Sequence, residues 1–251
     1  MIKFFRKIRY DLMEKNKTGK YFKYAIGEIV LVVVGILIAL SINNWNEDRK
    51  SKKMATEVYT NLLTSLKQDS LEVERTINLL TKSIDTQKKI ILSTSDQYTN
   101  DLSQTELDKM VQEVFSGVMS FFPKTGVYNL ITSNNSMDLL QSKKIKSLLI
   151  NLYDFQYKRY ENVDAIIDHK YHYQLGVVIR KKIGYIPEYD SESKLKVIKS
   201  VDRSLFNKHY KELVSECQDV YGILSTGNNY LFKIRASINE LLQLIRQELK
   251  K

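Results

Sequence analysis

The chain has one cysteine, Cys217, so no disulfide can close within it. That suits a reducing compartment, and equally an external fold that needs no staple. Two prolines and nine glycines in 251 residues are too few for the turns of a sandwich or barrel, so the expected fold class is all-α. A Gly-rich phosphate loop and a nucleophile motif are both missing, which argues against an enzyme. No cofactor is expected. Long apolar runs are scarce as well, and one stands out: Ala25–Ile42, AIGEIVLVVVGILIALSI.

That run holds 18 residues and one charge, Glu28. At about 1.5 Å per residue it spans roughly 27 Å as a helix, close to the thickness of a bilayer's hydrocarbon core. Tyr21, Phe22 and Tyr24 flank one end and Trp45 the other, where amphipathic rings prefer the membrane interface. A transmembrane helix over 24–46 is expected. Leu40-Ser41-Ile42-Asn43-Asn44 is a poor signal-peptidase site, so the segment reads as an uncleaved signal-anchor.

The net charge of +10 first suggests nucleic acid. Residues 1–23 carry eight basic side chains against Asp11 and Glu14, which accounts for six of those ten charges. The basicity therefore marks orientation: by the positive-inside rule the leader 1–23 is cytoplasmic and residues 47–251 lie outside. Ile2, Phe4, Phe5, Ile8 and Leu12 alternate with basic residues as an interfacial helix would, and Lys17-Thr18-Gly19-Lys20 is expected to break it. No nucleic-acid partner is expected.

Beyond Trp45 the periodicity is helical. Val58, Leu62, Leu66, Val73, Ile77, Leu80, Ile84 and Ile91 recur at sums of three and four, giving a helix over 47–94, with Asp69 and Ser70 as interruptions. Ser103 with Glu106 has capping-box spacing and starts a short helix, 105–115. Another short helix covers 126–134. Ser142 reads as an N-cap for a helix over 143–180, seamed by Ile145, Leu149, Leu152, Gln156, Tyr160, Val163, Ile167 and Tyr171. The last segment, 203–249, steps by four and three from Phe206 through Cys217 and Gly227 to Leu249, an a/d heptad pattern. A kink or a close helix contact is expected at Gly227. Together these predict an elongated antiparallel bundle of three long helices, capped at the end far from the membrane by residues 95–141.

Four groups of side chains carry the candidate chemistry. Glu28, Gly35 and Ala39 share one helix face, where small residues let a second helix approach; the plainer reading is that Glu28 snorkels to the headgroups. Tyr153, Tyr157 and Tyr160 could line a ligand groove, although tyrosines so spaced are more often edge packing with the hydroxyl in water. Asp168, His169 and His172, with His209, have spacings that could hold a metal, but a solvated polar face explains them more simply, and no metal site is expected. Cys217 lies on the heptad seam and reads as structural.

Met1–Glu47, MIKFFRKIRYDLMEKNKTGKYFKYAIGEIVLVVVGILIALSINNWNE, resembles a large family of uncharacterised single-pass membrane proteins from Bacteroidota, grouped under a domain of unknown function. A second block is similar to the same family: Thr125-Gly126-Val127-Tyr128-Asn129-Leu130, Ser133-Asn134, Leu139-Leu140 and the stretch from Leu148 to Tyr153. Family members often carry a Gly where this chain has Asn134 or Asn135. The resemblance implies an inner-membrane anchor with a periplasmic helical domain, and no activity.

The expected function is a membrane-anchored periplasmic scaffold or adaptor without catalysis. Its partners would be the lipid bilayer and a protein or second copy, met through the transmembrane helix and the bundle. The alternative is a sensor-like input domain that binds a small ligand and relays the event through the transmembrane helix.

Overall fold

The computed structural model describes residues 6, 10, 14, 18–189, 192, 195–198 and 200–250. The side chains of Thr18, Lys20, Tyr21, Tyr24 and both strands lie outside that description, as does most of the leader with its expected interfacial helix. The fold divides into two compact units, Met1–Thr56 and Glu57–Lys251.

Helix α1 (Thr18–Leu92) starts in the first unit and continues into the second; of the break expected at Lys17–Lys20, Thr18–Lys20 are helical and Lys17 lies outside the described residues. The sequence offers no proline to stop it. From Ala25 it is long and apolar enough to cross a membrane, and none of that apolar window is buried within the protein. Every described side chain from Ile29 to Lys50 is exposed.

The second unit holds the rest of α1 and a series of shorter helices: α2 (Ser95–Asn100), α3 (Gln104–Phe115) and α4 (Gly126–Ser133). The capping box expected at Ser103 and Glu106 is present, and Thr94 with Gln97 forms another. Residues 143–182 form one unbroken helical run that includes α5 (Lys143–Ile150) and α6 (Lys158–Lys170). Ser142 caps it by accepting from the Ile145 amide at 3.3 Å. Three stretches of this run are π-helical: Asn151–Tyr157, Tyr171–Leu175 and Val178–Lys182. The connection after it contains an antiparallel ribbon of β1 (Pro187–Tyr189) and β2 (Leu195–Ile198), with Glu188 opposite Val197. Helix α7 (Arg203–Glu248) closes the chain.

The contacts give the direction of each leg. Residues 69 and 83 of α1 meet 157 and 171, so α1 and the 143–182 run are parallel. Asn228 meets Thr81 and Arg235 meets Glu74, so α7 is antiparallel to α1. The stretch expected as a distal cap instead runs back along α1. Glu113 bonds Thr86, Phe122 bonds Glu72 and Lys124 bonds Asp69. That returning leg is why two of the long helices point the same way.

The α7 seam is buried from Phe206 to Ile245. At Gly227 the helix stays regular, and an added Cβ would come within 2.6 Å of the Ile167 Cδ1, so the glycine serves a close helix approach. The break in backbone geometry falls at His209, with φ −108° and ψ 16°. On α1 the buried positions include Leu62, Leu66, Asp69, Val73, Thr76, Leu80, Ser83, Gln87 and Ile90. This is a 4-3 seam in which polar residues take four places, and Asp69 belongs to it.

Gly117 sits where the returning leg touches α1, and an added Cβ would lie 2.3 Å from the Ser83 Cβ and 2.6 Å from the Glu113 carbonyl oxygen. Gly117→Ala is therefore expected to destabilise by about 1–3 kcal/mol through overpacking. At the exposed Gly222 an added Cβ meets nothing within 4 Å, and Gly222→Ala is expected to stabilise by about 0.5–1 kcal/mol through helix propensity. Denaturant unfolding of the full chain in detergent micelles, followed by circular dichroism, measures both.

Candidate functional site

Between the returning leg and the first π segment lies a groove of about 450 Å³. Its walls include Phe121, Phe122, Tyr128, Tyr153, Tyr157 and Tyr160, together with Asp154, Lys158, Glu161 and Asp164. A π turn packs more residues into each turn than an α-helix does, and such turns recur at functional sites. Here the widened turn buries Leu152 and Tyr153 side by side and keeps Tyr157 on the same face. The seam position expected at Gln156 therefore passes to Tyr157, and the half-buried Gln156 bonds the Ser237 hydroxyl at 3.0 Å.

Five rings make contact in series. Tyr128 stacks on Tyr153 with centroids 4.3 Å apart and planes 4° from parallel. Tyr153 meets Tyr157 edge-on at 5.0 Å, Tyr157 meets Phe121 at 5.7 Å, and Phe121 meets Tyr160 at 6.1 Å. Edge-to-face and offset contacts of this kind each add about 0.5–1.5 kcal/mol beyond the buried area. Phe122, by contrast, is 69% exposed at the groove.

Three of the four tyrosine hydroxyls in this series point at carboxylates instead of water. Tyr128 donates to Asp154 at 2.6 Å, Tyr157 to Asp69 at 2.9 Å, and Tyr160 to Asp164 at 3.0 Å. Asp69 also accepts the Lys124 amide at 2.9 Å, while the Ser65 hydroxyl donates to the Lys124 carbonyl. Asp69 thus fixes both the strap carrying Phe121 and Phe122 and the ring of Tyr157. Burial holds the carboxyls of Asp69 and Asp164 above their ordinary value. The bonds from Tyr128 and Lys158 draw that of Asp154 below it. Burial, then the neighbouring carboxylates, raises the phenols of Tyr157 and Tyr160 far above 10, so neither is an activated nucleophile or base.

Tyr153, Tyr157 and Tyr160 are therefore brought together at one groove. Tyr128 and Phe121 complete its wall and Asp69 holds Tyr157 from behind, roles the sequence reading does not assign them. The signal for Asp69 was its place in the 4-3 seam of α1; Phe121 and Tyr128 carried no periodic signal at all. The His and Asp residues converge less. His172 pairs with Asp168 at 3.2 Å, His169 lies against Tyr173, and His209 on α7 pairs with Glu212 at 3.5 Å. Among the described residues no group of three or more His, Cys, Asp or Glu side chains could hold a metal. The Cys217 thiol is buried, which pushes its pKa up to about 12.

In the first unit Gly35 and Ala39 are exposed and Glu28 is half-buried. An added Cβ at Gly35 would meet nothing within 4 Å. Phe22 and Trp45 are exposed, whereas the side chains of Tyr21 and Tyr24 lie outside the described residues.

These features define a helical protein with, among the described residues, one helix apolar enough to span a membrane, and an aromatic groove in its larger unit. The chain belongs to a family of unknown function (DUF6090), whose model matches residues 28–176. The match takes in the groove-lining residues and the second resemblance block, together with residues 28–47 of the first. Comparison with curated proteins and with solved structures finds no match.

Asp69→Ala is expected to cost about 2–3 kcal/mol, because it strands the Lys124 amide and the Tyr157 hydroxyl in a buried site. Asp69→Asn tests the charge. A carboxyl raised in the fold binds its proton more tightly folded than unfolded, so its contribution is fully present below 3.8 and is lost as pH rises through the raised value. The unfolding free energy of the wild type, measured against Asp69→Asn, is expected to increase as pH falls from about 7 to about 4.5. A difference independent of pH would show that Asp69 titrates as in the unfolded chain.

Proposed function

We propose that this protein is a single-pass inner-membrane protein of a Gram-negative cell, with its N-terminus cytoplasmic and residues 47–251 forming a periplasmic helical bundle. That bundle acts as a sensor-like input module: it binds a small ligand in the aromatic groove and relays the event along α1. The observation that carries this reading is the groove itself. Its volume of about 450 Å³ falls in the range of small-molecule sites. It is built at a π turn and pinned by Asp69 of α1, the helix that also contains the apolar window. The exposed apolar window and the basic residues preceding it support the anchor and its orientation. The raised phenols and the buried thiol favour binding over catalysis.

A second reading, a scaffold or adaptor that holds protein partners, draws on a different observation. The face through Gly35 and Ala39 is fully exposed and offers close approach to another membrane helix.

Two experiments test these readings. A single cysteine introduced at the exposed Leu71 in a Cys217→Ala background should react with a membrane-impermeant thiol reagent in intact spheroplasts; labelling only after lysis would overturn the topology. Thr125→Trp and Asn129→Trp, at exposed positions on the groove, should abolish thermal stabilisation of the full chain by any small molecule that raises its Tm. Compounds that stabilise these variants as well as the wild type would remove the groove as the binding site. Disulfide crosslinking through Gly35→Cys reports on the scaffold reading: a discrete crosslinked species supports it, and monomer alone counts against it.

A further inference from the structure

We propose that the groove takes an organic cation, a small molecule carrying an ammonium group. The inference rests on the small-ligand reading above and names its chemistry. An ammonium must be compensated when it leaves water, and two kinds of group do this: aromatic faces and carboxylates. The groove supplies both. Its wall is the ring series Tyr128–Tyr153–Tyr157–Phe121, and Phe122 stands exposed beside it. Asp154, Glu161 and Asp164 line the same space. Lys158 is the one basic side chain among the described lining residues, and Asp154 already engages it at 3.1 Å. The lining therefore carries net negative charge, which disfavours an anion.

A bare metal ion fits less well, because among the described residues the carboxylates do not converge as a group of three.

The test uses the purified full chain in non-ionic micelles and pairs of probes that differ in charge. Choline is set against its neutral carbon isostere dimethylbutanol, and putrescine, agmatine and tyramine against neutral analogues of equal size. Isothermal titration gives affinity, and hydrogen exchange at 121–129 and 151–164 locates the site. At least one cation is expected to bind ten-fold or more tightly than its neutral partner. Asp154→Asn combined with Asp164→Asn, which keeps an acceptor for Tyr128 and Tyr160, should bring the ratio of the cation's affinity to the neutral probe's towards one. Phe122→Ala, at an exposed position where folding is not at stake, should weaken the cation several-fold. If neutral partners bind at the groove as tightly as the cations, the cation assignment is overturned and the small-ligand reading stands. If no probe of either charge protects those segments, both are overturned.

Discussion

A carboxylate on a buried helical seam must be answered by donors, and at Asp69 two answers arrive from different parts of the chain. The Lys124 amide comes from the strap between α3 and α4, and the Tyr157 hydroxyl from the first π segment. Satisfying that one group therefore draws three separate stretches of sequence to a common point. The groove is the space left beside it. Replacing Asp69 with leucine would suit the seam's apolar pattern, but the strap would then lose the bond that fixes the Lys124 amide and keep only its contacts with Ser65 and Glu72. Burial makes the carboxyl costly and its two bonds offset that cost.

The same device recurs further along α1. Ser83 pairs with the Tyr171 hydroxyl at 2.8 Å, Gln87 donates to Ser83, and Tyr171 donates to the Val114 carbonyl. The Asp69–Tyr157 and Ser83–Tyr171 pairs have the same sequence offset, 88 residues. They lie two heptads apart, so two polar contacts impose a single register on a pair of helices that apolar packing alone would let slide. Tyrosine suits this role because it buries a large ring and still reaches a polar atom at its tip. In this fold, Tyr128, Tyr157, Tyr160 and Tyr171 each join a ring contact or a buried face to a defined acceptor.

The helical character and the α7 seam were legible because 3.6-residue periodicity is a local property, and thirteen successive positions from Phe206 to Leu249 repeat it. Gly227 on an apolar seam pointed to a kink or a close contact, and it is the close contact that the fold uses. The direction of the legs was not legible. Apolar spacing reports which face is buried and is silent about what buries it, so residues 95–141 read as well for a cap as for a returning leg. Asp69 reads in the sequence as an interruption of the apolar spacing, because its charge outweighs its position. The π turn was invisible for a related reason: it moves the seam from Gln156 to Tyr157 without any composition that marks it. Within the groove, the tyrosine spacing was readable and its acidic partners were not, since Asp69 lies 88 residues from the ring it holds.

The π segment Asn151–Tyr157 has a consequence for how this leg tolerates change. A π turn is in effect one surplus residue accommodated inside a helix. Were that residue lost, the backbone could close into an ordinary α-helix and the flanking turns would keep their alignment. Were the segment instead to tighten into α-helix with all its residues kept, the two parts of the helix would rotate against each other by about 100°. Tyr160 and everything beyond it would then turn away from the neighbours that Leu149 still faces. The stretch is thus tolerant of losing one residue and sensitive to its own winding. A change of winding at the groove would be felt at Ile167 against Gly227 and at Tyr171 against Ser83, far from where it was made.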